Sequence, residues 1–124
     1  MLSAYRPQSE YLTGERCHII EIHNRPEDED CSIARARVAP GVTTALHSLS
    51  GVIERYVILA GTGSVEIAGG PPLAVTALDV VTIAAGASQR ITNTGSADLV
   101  FLCVCTPRFR PERYRIEEEE EPLN

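Results

Sequence analysis

The stretch GVTTALHSLSGVIERYVILAG, residues 41–61, decides how the rest of the chain is read. From Ile53 onward the side chains alternate, so in a strand Glu54, Tyr56 and Ile58 share one face and Arg55, Val57 and Leu59 the other. His47 lies on the preceding run, and Ser50-Gly51 between the two runs is a turn signal. An imidazole and a carboxylate on neighbouring strands of a closed sheet converge inside it, the arrangement from which a metal or small-molecule site is built.

The same grammar continues in both directions. Segments 17–22, 31–38, 44–49, 53–60, 64–68, 73–77, 79–83, 88–92 and 99–105 are β-prone runs. Turn-rich pieces separate them, among them HNRPEDED, Pro40-Gly41, Gly61-Thr62-Gly63, Gly69-Gly70-Pro71-Pro72 and Asn93-Thr94-Gly95. With no helical period before residue 110, this is an all-β sandwich or barrel of about nine or ten short strands. Segment 99–105 is apolar on both faces. A monomeric barrel wets its outer surface, so part of that surface is expected to be buried in a homodimer.

Three zones follow. Residues 1–15 form a polar lead-in with room for a short edge strand, residues 16–107 the barrel, and residues 108–124 a charged C-terminal tail. In RFRPERYRIEEEEEPLN, Pro111 can open a helix with Arg113–Glu117 and Arg115–Glu119 spaced i,i+4. Arginine before glutamate is the weaker order, so a solvated, partly disordered acidic tail is the expectation.

Composition narrows the function classes. The 124 residues make one domain, 44% hydrophobic, with net charge −6 from 17 acids and 11 bases, every base an arginine. An acidic domain is a poor partner for nucleic acid. No apolar run approaches the ~18 residues of a membrane span, and MLSAYRPQSEYL lacks the apolar centre of a signal peptide, so no membrane partner and a cytoplasmic location are expected. Cys17, Cys31, Cys103 and Cys105 show no CxxC spacing and read as buried free thiols of a reducing compartment.

The opening stretch resembles the first motif of the cupin superfamily, G-x5-H-x-H-x4-E-x6-G. Gly41, His47, Glu54 and Gly61 fall in register, and Leu49 stands where the second histidine belongs. LDVVTIAAGASQRITN resembles the second motif, G-x5-P-x-G-x2-H-x3-N. Here Gly86 and Asn93 match, whereas Leu78, Ala84 and Gln89 replace the first glycine, the proline and the histidine. The resemblance covers residues 41–93 and implies a small single-domain cupin, a double-stranded β-helix or jelly roll, usually dimeric. Its members include metal-dependent dioxygenases, isomerases and decarboxylases, metal-free epimerases and non-catalytic binding domains, so the fold assigns no reaction.

Carried across residue by residue, the family's metal ligands fall on His47, Leu49, Glu54 and Gln89. Leucine cannot ligate, which leaves His47, Glu54 and the Gln89 amide oxygen as an incomplete set for a divalent ion such as Mn, Fe(II), Ni or Zn. The oxygen-rich remainder suits harder ions better than zinc. A further ligand would have to come from Tyr56, His18, His23, Cys103 or Cys105. The competing arrangement has no metal: the Gln89 NH2 and His47 each donate to Glu54 and satisfy the buried polar groups.

Tyr56 either lines the cavity or is an ordinary core tyrosine. Arg35 and Arg37 either clamp an anion or, the favoured reading, point outward to surface acids and leave small Ala34 and Ala36 facing in. His18 and His23 read as edge residues. The expected function is a cupin binding a small polar or carboxylate-bearing molecule through His47, Glu54, Tyr56 and Gln89, with weak or no metal. The alternative is a metal-dependent enzyme of dioxygenase, isomerase or decarboxylase type using His47, Glu54 and Gln89. Its candidate catalytic groups are Glu54, His47 and Tyr56.

Overall fold

A computed structural model describes residues 1–118. Eleven strands form two antiparallel sheets: β1 (Tyr11–Leu12), β2 (His18–His23), β3 (Ser32–Val38), β4 (His47–Leu49), β5 (Ile53–Ala60), β6 (Thr62–Ile67), β7 (Leu73–Thr76), β8 (Val80–Ile83), β9 (Gln89–Asn93), β10 (Leu99–Thr106) and β11 (Tyr114–Ile116). One sheet runs β1-β2-β3-β10-β5-β8 and the other β11-β4-β9-β6-β7. From β3 onward the chain crosses between the sheets at every step except the β6–β7 hairpin, as in a jelly roll.

Two-residue periodicity explains which side chains meet. On β5, Glu54, Tyr56 and Ile58 are buried and Arg55, Val57 and Leu59 are not, the division that the sequence implies. The register continues this inner face across the sheet. Glu54 pairs with Cys105 and Ile83, and Tyr56 with Cys103 and Val81. Through β10 the inner rows extend to Ser32 and Ala34 of β3. Val38, Ile58, Val65, Ile91 and Leu99 are fully enclosed between the sheets. At about 25 cal/mol per Å2 of apolar surface, such residues supply most of what holds the sheets together.

Arg35 and Arg37 lie on the opposite face of β3, as the favoured reading had it. Arg35 Nη1 is 3.3 Å and Arg37 Nη2 2.6 Å from the Glu10 carboxylate, and Arg37 also reaches Asp98 at 3.2 Å. The turn between β5 and β6 is tighter than GTG suggests, with Thr62 already in β6. Gly61 has φ +84°, and a Cβ there would stand 2.7 Å from the Asp98 carbonyl, so only glycine fits.

The tail differs from expectation. Residues 108–118 are packed structure rather than a solvated segment, and Pro111 opens only a single 3-10 turn, Pro111–Arg113. Tyr114–Ile116 then adds as an edge strand to β4. The reason is local. Phe109 and Tyr114 cover the apolar cluster of Leu49, Val52 and Cys105, and the Phe109 N–H donates to Ser32 Oγ at 2.8 Å. Glu117 and Glu118 also have specific partners. Ser48 Oγ donates to Glu117 at 2.7 Å, while Glu118 accepts from the Leu46 N–H at 3.0 Å and from Arg16 at 2.6 Å. The expected Arg115–Glu119 pair lies outside the described residues.

Tyr114→Ala should therefore destabilise the protein by about 2 kcal/mol, since it removes a large side chain from a half-buried apolar cluster. Urea denaturation measures this, and an unchanged midpoint would mean that the C-terminal strand is not held by this packing.

Candidate functional site

The inner face of the larger sheet borders a cavity of about 140 Å3. Ala34 and Ala36 on β3 leave the room, and Tyr56 and Phe101, ring centroids 4.6 Å apart, form an aromatic wall. His47 and Leu49 of β4 and the loop 13–17 bound it on the other side. Thr13 shapes that loop: its N–H and hydroxyl both donate to the Cys17 carbonyl, at 2.9 and 3.0 Å. The Ala45 N–H donates to the Glu15 carbonyl at 3.1 Å, which docks the loop beside β4 and sets Glu15 and Cys17 at the cavity.

His47 and Glu54 both line this space, as does Tyr56. His47 Nδ1 lies 2.8 Å from the Ala45 carbonyl, which can only accept, so the neutral ring carries its proton on Nδ1 and presents the Nε2 lone pair. The ring stacks on Tyr114 at 5.2 Å and 19°, which fixes its orientation. Glu54 is buried. The Cys105 thiol donates weakly to its Oε2 at 3.6 Å, and its Oε1 has no partner among the described residues. Burial pushes its carboxyl above the ordinary 4.5, and the nearby His47 ring and Gln89 amide pull against that rise.

Gln89 stands apart from the cavity surface. It is almost fully buried, and its Oε1 accepts a short hydrogen bond from the Tyr56 hydroxyl. Burial holds that hydroxyl protonated, far above its ordinary range. Of the expected network of Gln89 and His47 donating to Glu54, the His47 half is corrected, while the Gln89 amide stands close enough to Glu54 to oppose the rise in its pKa. His47 spends its Nδ1 proton on Ala45, and one Glu54 oxygen stays open. Burial likewise keeps the lining thiols protonated, Cys17 being pushed up to about 11.

The residues present do not fit a tightly held metal. Leu49 offers no donor and the Gln89 oxygen is engaged by Tyr56. Among the described residues, no three His, Cys, Asp or Glu side chains come close enough together to hold an ion. His18 and His23 lie on β2 outside this arrangement, His23 being held by Asp28 at 2.8 Å. Sequence reasoning missed Glu15, Cys17 and Phe109 as cavity residues. They sit in irregular segments, where no periodicity assigns a face.

Two antiparallel sheets closed around a cavity with a histidine and a glutamate on its wall define a small double-stranded β-helix. The chain belongs to the cupin family. It is 36% identical over 93 residues to an oxalate-binding protein of Thermotoga maritima, covering 73% of each. Its fold matches the crystal structure of a predicted oxalate decarboxylase from the same organism, with TM-score 0.74 and 25% identity over 84% of this chain and 98% of that one. A Streptomyces nucleoside dehydratase variant with uridine gives TM-score 0.78 at 12% identity, covering 95% and 92%, a likeness of fold alone. No family model matches the chain.

Because the folded state holds the Glu54 proton more tightly than the unfolded chain does, its contribution to stability is present below the ordinary carboxyl value. It is lost as pH rises through the raised folded value. Glu54→Gln removes that ionisation. Its Tm relative to the parent should climb between pH 4.5 and pH 8 in a thermal-melt series, and a pH-independent difference would contradict this account.

Proposed function

We propose that this cupin binds a small polar molecule of about six heavy atoms in the barrel, without a tightly held transition metal. The observation that carries the proposal is the 140 Å3 cavity onto which His47 and Glu54 open while Leu49 and Gln89 supply no ligating atom. A cavity of about 150 Å3 accommodates benzene, which sets the scale. The oxalate-binding protein of T. maritima supports a small carboxylic acid as one candidate class. The metal-enzyme alternative gains no support from this donor set.

The test has two arms. After incubation with Mn, Fe(II), Ni or Zn and dialysis, retained metal should be well below one ion per chain; stoichiometric retention abolished by His47→Ala would overturn the metal-free reading. In the second arm, thermal melts across a panel of small acids, amines and amides should show stabilisation by at least one class that rises with the logarithm of its concentration, about 2.7 kcal/mol at a hundredfold excess over Kd. His47→Ala should remove it.

The protein is further proposed to be a homodimer. The outer faces of β5, β8 and β10 bring Val57, Val80 and Leu102 into one cross-strand row, with Leu59 and Leu78 exposed nearby. Leu78 is 80% exposed at φ +73°, a costly conformation for leucine. Burial against a second copy would offset the exposure of this apolar face. Light scattering should give twice the chain mass for the parent and a shift to monomer for Val80→Arg; a monomeric parent sinks the idea. The four free thiols support a reducing compartment, the cytoplasm.

A further inference from the structure

Three polar groups on the cavity wall, His47, Glu54 and Glu15, can accept hydrogen bonds from an occupant. His47 commits its proton-bearing Nδ1 to Ala45 and offers the Nε2 lone pair. Glu54 Oε1 is buried and has no partner among the described residues. Glu15, on the loop 13–17, adds a second carboxylate to the lining. Glu21 adds a third, and the lining contains neither arginine nor lysine. The buried Tyr56 hydroxyl is already directed at Gln89, and the donors left on the lining are neutral hydroxyls and thiols, Tyr11, Thr44 and Cys103 among them.

Two classes of occupant are disfavoured by this inventory. A dicarboxylate would bring further negative charge to Glu15 and Glu54 without an arginine to pair with, at a dielectric low enough to make the repulsion matter. A single metal ion requires donors within about 2.0–2.6 Å of one point, and the acidic and imidazole groups do not converge that closely. A molecule carrying several N–H donors on a positive centre meets neither objection. Its separate N–H groups can serve acceptors that do not converge on one point, and the aromatic wall of Tyr56 and Phe101 adds cation–π attraction.

We infer that the ligand of this cavity is a small ammonium-bearing molecule, its N–H groups donating to Glu54 Oε1, His47 Nε2 and the Glu15 carboxylate. This inference rests on the proposed binding function and names its ligand class. Glu15 then acts as the specificity-determining residue, because it supplies the charge that separates an amine from an isosteric neutral amide. The paired carboxylates recognise a charged donor as an anion site recognises an acceptor, with charge-assisted hydrogen bonds about twice as strong as neutral ones.

The experiment is calorimetric titration of the full chain at pH 7.5 with ethanolamine, β-alanine, acetamide and oxalate. The amine-bearing compounds should bind at least about tenfold more tightly than acetamide and oxalate, a preference equivalent to one charge-assisted contact. Glu15→Gln should erase the amine preference while near-UV circular dichroism shows an intact fold; Glu54→Gln, which keeps the side-chain shape, should do the same. Oxalate binding more tightly than either amine would overturn the inference and leave the small-molecule reading standing. A preference unchanged in both variants would overturn it as well. No heat or stabilisation from any of the four compounds would count against the binding function itself.

Discussion

The structure depends on a carboxyl group buried in an apolar sheet, with no arginine bonded to it among the described residues. Glu54 sits between Cys105 and Ile83 on the inner face of the larger sheet. Taking such a group out of water costs several kcal/mol unless something replaces the lost hydration. Here the replacement is partial: a thiol reaches one oxygen, while an imidazole and an amide stand near enough to oppose the rise in its pKa. The other oxygen has no partner among the described residues, and it borders the cavity. A buried unsatisfied acceptor next to a cavity is a cost to folding that a bound donor would remove.

Charge is sorted by face around this point. The arginines of β3 that the sequence allowed to point inward are held outside by Glu10 and Asp98. Arg90 pairs with Glu66 and Arg108 with Glu29, again away from the cavity. Exposed pairs of this kind contribute little stability each. Their effect is on the cavity, which keeps acids and loses bases. Net charge alone, −6 over the chain, does not reveal this separation, because strand alternation and register decide which side each residue takes.

The fold was legible because period-two alternation and turn residues repeat along the whole chain, and two spaced motifs agree with them. The pairing of His47, Glu54 and Tyr56 around one cavity was legible for the same reason, since Glu54 and Tyr56 share a strand face and His47 lies across the turn. Gln89 was harder. The second motif puts it at a ligand position, but only the structure sets it opposite His47 in the ladder and gives its oxygen to Tyr56. Glu15 was invisible, because it sits in an irregular loop held beside β4 by long-range hydrogen bonds such as that from the Ala45 N–H, which no local pattern encodes. The tail misled for a related reason. Its run of glutamates reads as solvated, yet Phe109, Tyr114, Glu117 and Glu118 each have a specific partner on the barrel.

Leu49 links these observations. A histidine at this position would add a nitrogen to the cavity wall. A leucine instead joins Val52 and Cys105 in the cluster that Phe109 and Tyr114 cover. Docking of the C-terminal segment there brings the Tyr114 ring against His47, and the Ala45 carbonyl takes the Nδ1 proton. The imidazole is thus oriented by packing and one backbone acceptor. One substitution therefore explains two departures from a complete ligand set: the missing donor, and a tail that is built into the sheet. The Nε2 lone pair that results faces a cavity whose charged groups are carboxylates, and such a site selects its ligand by the donors that ligand carries.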